Sequence, residues 1–324
     1  MLRKWVVPAV VGSLALLFAV SASIQAAEKA KAEPKPPTEA KPDEIEKITA
    51  AAPDTAFVKP AQPRKLLVFS LTKGFPHSSV GVGGKAFEII GKKTGAWETV
   101  ITTDVSIFAP DKLKQFDAVM MNNTTGNLID DPALKQSLLD FVKGGKGIGG
   151  AHSATDAFYD KWPEYGEMMG GFFKGHPFHK ISVKVDDPKS PLTAMFEGKG
   201  FEFSDEIYTF KDPYSREKLH ILLSVDWENA SLPKGNRDDN DYALAWIHDF
   251  GKGHVFYCAF GHQHEVFWNP TILKFYLAGI QYMMGDLKAD ATPTAKLKIE
   301  AAPGPKLAPQ PEKKPAEKKP AEKK

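Results

Sequence analysis

The chain has 324 residues, with 42 Lys and Arg, 40 Asp and Glu and a single cysteine. One cysteine excludes an intramolecular disulfide framework and a cysteine-based zinc finger; a net charge of +2 gives no whole-protein case for nucleic-acid binding. The charge is uneven: residues 288–324 carry 10 Lys and 5 acids, while 64–287 carry 24 basic and 28 acidic side chains, so the basic character belongs to the tail.

Residues 1–26 read as a signal peptide. Arg3 and Lys4 precede an apolar run over 5–20, and small residues follow as far as Ala26. The run is shorter than the roughly 20 apolar residues a membrane span needs, so an exported protein, periplasmic or secreted, is expected. Residues 27–63 are rich in Ala, Pro, Lys and Glu and read as a disordered linker.

The body, 64–287, is expected to be one α/β domain. The apolar run 65–70 is a strand buried on both faces. Ala86, Phe87, Ile89 and Ile90 give helical spacing over 83–94. Alternation over 97–103 predicts a second strand, and 111–116 a short helix. A third strand, 118–121, ends in Asn122-Asn123-Thr124. Asp131 caps a helix opened by Pro132, with an apolar stripe of Leu134, Leu138, Leu139, Phe141 and Val142, and Gly144-Gly145 stops it. The run 146–151 is a glycine-rich fourth strand. Strand and helix alternating at this spacing argue a doubly wound α/β sheet. Later segments, 181–185, 219–225 and the pair 243–248 and 254–259, read as strands added at the edge of that sheet, and Asn269-Pro270 opens a last helix to about Met284. Residues 288–324, ending in the repeat over 313–322, read as a disordered Lys-, Pro- and Glu-rich tail, with weak adhesion to an anionic envelope surface as its functional alternative.

In open α/β sheets ligands bind beyond the carboxyl ends of the strands. Three such ends deliver a histidine: Lys73 to Ser78 with His77, the turn after Ala151 with His152, and Gly261 to Glu265 with His262. His152 follows Gly149-Gly150-Ala151, small residues that permit a sharp elbow projecting a polar side chain into the cleft. Asn122 lies at a fourth strand end. Gly170 to Pro177 reads as a glycine-bounded loop presenting His176. Asp205 and Glu206 lie between Phe203 and Tyr208, and a carboxyl held against aromatics is a candidate general acid or base with a raised pKa. His77, His152, Glu206 and His262 are thus the catalytic candidates. His176, Asn122, Asp205, Tyr208 and Trp268 are the substrate-binding candidates. His264 reads as a rim residue and Trp246 as core. Three imidazoles with a carboxylate are also a usual ligand set for a divalent metal such as zinc, with His77, His152 and His262 as candidate ligands. No nucleotide cofactor is expected: no Gly-x-Gly-x-x-Gly follows the first strand and no P-loop is present.

The segments 149–153, 171–177, 205–208 and 245–257, with Gly261-His262 and Trp268-Asn269-Pro270, together resemble the trehalose-utilisation, or ThuA-like, family in order along 64–286. The resemblance implies a flavodoxin-like, doubly wound and mostly parallel sheet with added edge strands, similar to class I glutamine amidotransferases. It does not imply their chemistry, which needs a cysteine at the elbow; here the elbow reads Ala151-His152-Ser153, and Cys258 lies in a strand. The family's link to trehalose and related disaccharides, including keto-sugars, implies a small sugar substrate and a hydrolase or lyase. A non-enzymatic carbohydrate-binding or envelope-interaction module, with or without a divalent metal, stays open beside it.

Overall fold

A computed structural model describes residues 38–309. The signal-peptide reading and the 313–322 repeat lie outside these residues. Among them, no helix is long and apolar enough to cross a membrane.

Nine strands form one mixed sheet in the order β2-β1-β3-β4-β9-β8-β7-β5-β6. They are β1 (Lys65–Phe69), β2 (Glu98–Thr102), β3 (Ala118–Asn122), β4 (Gly147–Ala151), β5 (Phe172–Val185), β6 (Phe201–Lys211), β7 (His220–Val225), β8 (Ala243–Phe250) and β9 (Gly253–Cys258). The first five in spatial order, β2-β1-β3-β4-β9, pair in parallel, and the rest pair antiparallel. The expectation of a mostly parallel sheet is therefore corrected. Half the pairings are antiparallel because the chain from β5 to β9 returns through hairpins, without crossover helices.

The helices are α1 (Pro42–Ala51), α2 (Val80–Thr94), α3 (Pro110–Leu113), α4 (Pro132–Lys143), α5 (Pro163–Met169), α6 (Trp227–Ala230) and α7 (Pro270–Met283). As the sequence indicates, Asp131 accepts from the Ala133 N–H and Pro132 opens α4; Asn269 does the same for Thr271 and Ile272 at the start of α7. Strand alternation divides the core into two layers. Leu66, Val68, Ala118 and Met120 pack with Phe87, Ile90, Phe275 and Tyr276 of α2 and α7. Leu67, Phe69, Val119 and Met121 pack with Leu138, Val142, Tyr165 and Met168 of α4 and α5. Helices on both faces explain why β1 and β3 are continuous apolar runs.

Three sequence-based readings are revised. The 170–177 segment is not a loop: Phe172 onwards belongs to β5, paired with β6 through register shifts at Phe173, Gly175 and Phe178. Those bulges, around Gly175 and Pro177, obscure the alternation. The disorder expected of 27–63 is overturned for 38–63, which pack on the body. Ile48 is fully buried and Ala52 nearly so, Gln281 accepts from the Phe57 and Val58 N–H groups, and the Lys93 ammonium donates to the Thr49 and Ala52 carbonyls. The disorder expected of 288–324 is overturned for 288–309. Val185 and Ala302 exchange backbone hydrogen bonds, the Ser182 hydroxyl donates to the Pro305 carbonyl, and Leu307 is buried. Backbone pairing and a few anchors suffice because these segments lie along a surface that is already folded.

The parallel register aligns four carboxyl ends: Phe69 with Met121, Asn122 with Ala151, and Ala151 with Cys258. From β1 the chain crosses to β2 on one side and then to β3 on the other. The loops after β1, β3, β4 and β9 therefore open into one crevice at this reversal.

Candidate functional site

His77, His152 and His262 meet in that crevice. Their ring centroids lie 4.9 Å (His77–His152), 5.2 Å (His77–His262) and 5.4 Å (His152–His262) apart. Glu206 enters from β6. Its Oε2 lies 3.1 Å from His262 Nδ1 and 3.5 Å from His152 Nε2, and its Oε1 lies 3.2 Å from His176 Nδ1. One ligand atom each from His77, His152, Glu206 and His262 all fall within 4.8 Å of one another. Three strand ends and the middle of β6 thus bring together the four catalytic candidates, with His176 beside them.

The elbow after β4 is real and sharp. His152 has φ +47°, a left-handed conformation uncommon for any residue with a Cβ and found where surrounding structure imposes it. Gly150 permits the turn: a Cβ there would lie 2.7 Å from that of Ala154. The Tyr257 hydroxyl donates to the His152 carbonyl, and His152 Nδ1 lies 2.8 Å from the Ala259 carbonyl oxygen. A carbonyl only accepts, so Nδ1 carries the proton and Nε2 faces Glu206. Opposite, Gly261 has φ +144° and approaches within 3.2 Å of His152 Cβ at its would-be Cβ, room that glycine alone leaves.

Asp205 and Glu206 do different jobs because adjacent strand residues point to opposite faces. Asp205 is buried, and its carboxylate accepts the backbone N–H groups of Gly261 (2.7 Å), His262 (3.2 Å) and Gln263 (2.9 Å). It therefore fixes the His262 loop; the expected substrate contact is corrected, since both oxygens are engaged. Asn122 is corrected likewise: it is buried, and its amide donates to Ser70 Oγ and the Val80 carbonyl, tying β3 and β1 to α2. Tyr208 is nearly buried, its ring 4.2 Å from those of both His152 and Phe173, and it supports the cluster from beneath. Trp268 packs toward α1, under the Lys47 ammonium 5.0 Å from its ring, and makes no ring contact with the histidines. His264 bridges Glu44 of α1 (2.7 Å) and Ser78 (3.0 Å), so the N-terminal segment braces the two loops that carry His77 and His262. Trp246 is core, as expected.

Electrostatics revise one expectation. Burial raises the Glu206 carboxyl, but the facing imidazoles of His152 and His262, with His176, outweigh it and hold the group well below the usual range. Glu206 is thus a fixed anion, and a poor base. Its carboxylate and burial act oppositely on His262, and the carboxylate wins, raising that imidazole. Burial, with His152 and His262 nearby, pushes His77 down to about 3. Cys258 is buried, and its thiol is pushed up to about 12, so it stays protonated.

The sequence reading missed three residues. Asp156 closes the turn that begins with His152; it is buried, and desolvation pushes its carboxyl up to about 6, against the pull of His152. Phe75 is 61% exposed with its ring 4.9 Å from His77. Tyr159, also exposed, hydrogen-bonds Asp156. An acid inside a buried turn and large aromatics in strand-end loops were the available signals.

The chain matches the family model described as ThuA, trehalose utilisation, over residues 65–283. Among solved structures it is similar to a putative ThuA-like protein from Bacteroides uniformis, 23% identical, over 73% of this chain and 97% of that one, with a TM-score of 0.57. A putative ThuA-like protein from Parabacteroides merdae is 17% identical over 71% of this chain and 93% of that one, with a TM-score of 0.49. No curated protein matches the chain. The nine-strand α/β sheet is consistent with the glutamine amidotransferase-like fold, and the protein belongs to the ThuA, or trehalose-utilisation, family.

Proposed function

We propose that this protein is an exported carbohydrate enzyme whose substrate, a disaccharide or its keto form, binds at the carboxyl ends of β1, β3, β4 and β9. The observation that carries this reading is the convergence of His77, His152, His176 and His262 on Glu206 at that edge. Burying so many ionisable groups is costly to stability and is characteristic of functional sites. Exposed Phe75 and Tyr159 flank the polar cluster, an apolar surface suited to the C–H face of a sugar ring. Membership of the trehalose-utilisation family supports the substrate class. The positive n-region and apolar run over 1–20 support export.

The reaction class that suits the site is proton removal beside the carbonyl of an oxidised sugar. The carbonyl acidifies the neighbouring C–H, and Asp156, pushed up to about 6, is tuned to accept a proton near neutral pH. Glu206 and the histidines hold the substrate oxygens. A thiol-based amidotransferase step is disfavoured because the elbow carries His152 and Cys258 is buried in β9. The Lys-rich repeat at 313–322 would add weak envelope contact.

The test is binding and turnover of mono- and disaccharides, oxidised and unoxidised, by the wild type, Asp156→Asn and Glu206→Gln. Turnover of a keto-sugar that falls at least 100-fold in Asp156→Asn with binding retained supports the reading. No binding or turnover of any sugar refutes it. Binding without turnover in the wild type identifies a carbohydrate-binding module instead.

A further inference from the structure

We infer that His77, His152, His262 and Glu206 form a binding site for one divalent transition-metal ion of the zinc and cobalt class. The inference deepens the reading of this cleft, and it rests on that reading for the substrate but not for the ion.

His152 carries the argument. Its Nδ1 proton is committed to the Ala259 carbonyl at 2.8 Å. Its Nε2 is buried, makes no hydrogen bond, and faces Glu206 Oε2 at 3.5 Å. Two acceptors therefore look at each other, which needs a cation or an added proton between them. His262 Nδ1 is in the same position: it is buried and lacks a directed hydrogen bond, although the same carboxylate oxygen lies 3.1 Å away. Proximity without hydrogen-bond alignment is what a shared ligand sphere produces. The backbone carbonyl on the far nitrogen of His152 is the usual outer support of a metal-bound imidazole, fixing tautomer and ring orientation. His176 supports the carboxylate in the same way through Oε1.

The donor set selects the ion. Three imidazoles and one carboxylate suit zinc, cobalt, nickel or iron, whereas calcium and magnesium prefer all-oxygen shells. The four ligands come from four separate loops or strands, held by the Asp205 anchor and the elbow, so the site is assembled by the fold. His77 and His152 are buried while Glu206 and His262 are half-buried. The cluster is thus closed on the side of His77 and His152 and open on the side of Glu206 and His262, where the half-exposed His176 also lies. An open coordination position distinguishes a catalytic from a structural centre. Adjacent carbonyl and hydroxyl oxygens of an oxidised sugar are the ligand class that fits it, and a bound ion would polarise that carbonyl.

The experiment uses the purified full chain, stripped with chelator and then loaded separately with Co²⁺ and Zn²⁺. After desalting, metal content is measured by mass spectrometry, and Co²⁺ coordination by visible absorption. One ion per chain is expected, with Glu206→Gln and His262→Gln each weakening Co²⁺ affinity at least 10-fold. His176→Ala, which removes only a supporting contact, should weaken it by about 10- to 100-fold. His262→Gln lies outside the strained elbow, so it serves where a change at His152 prevents folding; circular dichroism confirms the fold. Failure of the loaded chain to retain stoichiometric metal overturns the inference, as does retention undiminished in both Glu206→Gln and His262→Gln. A chain that holds the ion but binds no sugar supports the metal centre and overturns the carbohydrate reading; sugar turnover by a chain that cannot hold metal does the reverse.

Discussion

Asp205→Ala should both destabilise the fold and disable the site, though Asp205 touches no substrate. The carboxylate accepts three consecutive backbone N–H groups, at 2.7, 3.2 and 2.9 Å. Hydrogen bonds to an ionised acceptor contribute more than neutral ones, and an orphaned buried donor costs about 1–3 kcal/mol. The Gly261 bond is buried, while those of His262 and Gln263 are part-buried and can rehydrate. The net loss is therefore about 3 kcal/mol, close to one fully orphaned donor plus two partly compensated ones. For a domain of this size each kcal/mol moves the melting temperature by roughly 2–4 °C, so a fall of about 6–12 °C is expected. Released from its anchor, the loop also lets His262 drift from Glu206, so Co²⁺ affinity falls with stability. Calorimetry and metal titration read the two effects. A variant that melts within a degree or two of wild type, with metal affinity intact, would refute the anchoring role.

Other consequences follow from the same geometry. Arg64→Ala strands the almost fully buried Asp286 carboxylate and should cost about 3–5 kcal/mol; an unchanged urea midpoint would show that this ion pair does not hold the start of β1 to the end of α7. In the chelated protein the His77 imidazole is pushed down to about 3 from an ordinary 6.5. Its neutral form is thus favoured by folding, and its contribution is complete above pH 6.5 and lost as pH falls toward 3. His77→Gln should flatten the acid limb of a stability–pH profile below 6.5, and superimposable limbs would contradict that assignment. Phe75→Ala, at a 61% exposed position, should shift stability by less than about 0.5 kcal/mol while weakening sugar binding several-fold in titration calorimetry; equal affinity would remove Phe75 from the sugar surface.

The parallel half of the sheet was legible because buried strands bounded by Gly, Pro and Asn are unmistakable apolar runs, and because the rule about strand ends turns each run into a pointer to the residue after it. That located His77, His152 and His262. The β5–β6 hairpin was less legible, since Gly175, Pro177 and the bulges break its alternation. The division of labour between Asp205 and Glu206 needed the strand itself: neighbours in sequence face opposite ways, one to a loop and one to the cleft. The Glu206 environment was misread because its aromatic neighbours in sequence suggested an apolar setting, whereas three imidazoles from distant segments decide its charge. The packing of α1 was hidden by an Ala-, Lys- and Glu-rich composition whose fully buried apolar anchor is the single Ile48.

The central claim is that three strand-end histidines and Glu206 of β6 form a working metal centre at which a sugar binds. Anomalous diffraction from crystals loaded with Co²⁺ and soaked with an oxidised disaccharide tests it most directly. The expected result is one anomalous peak about 2.0–2.2 Å from a ligand atom of each of His77, His152, His262 and Glu206, with sugar oxygens on its open side. An empty position among those four side chains, or sugar density away from that edge of the sheet, would contradict it.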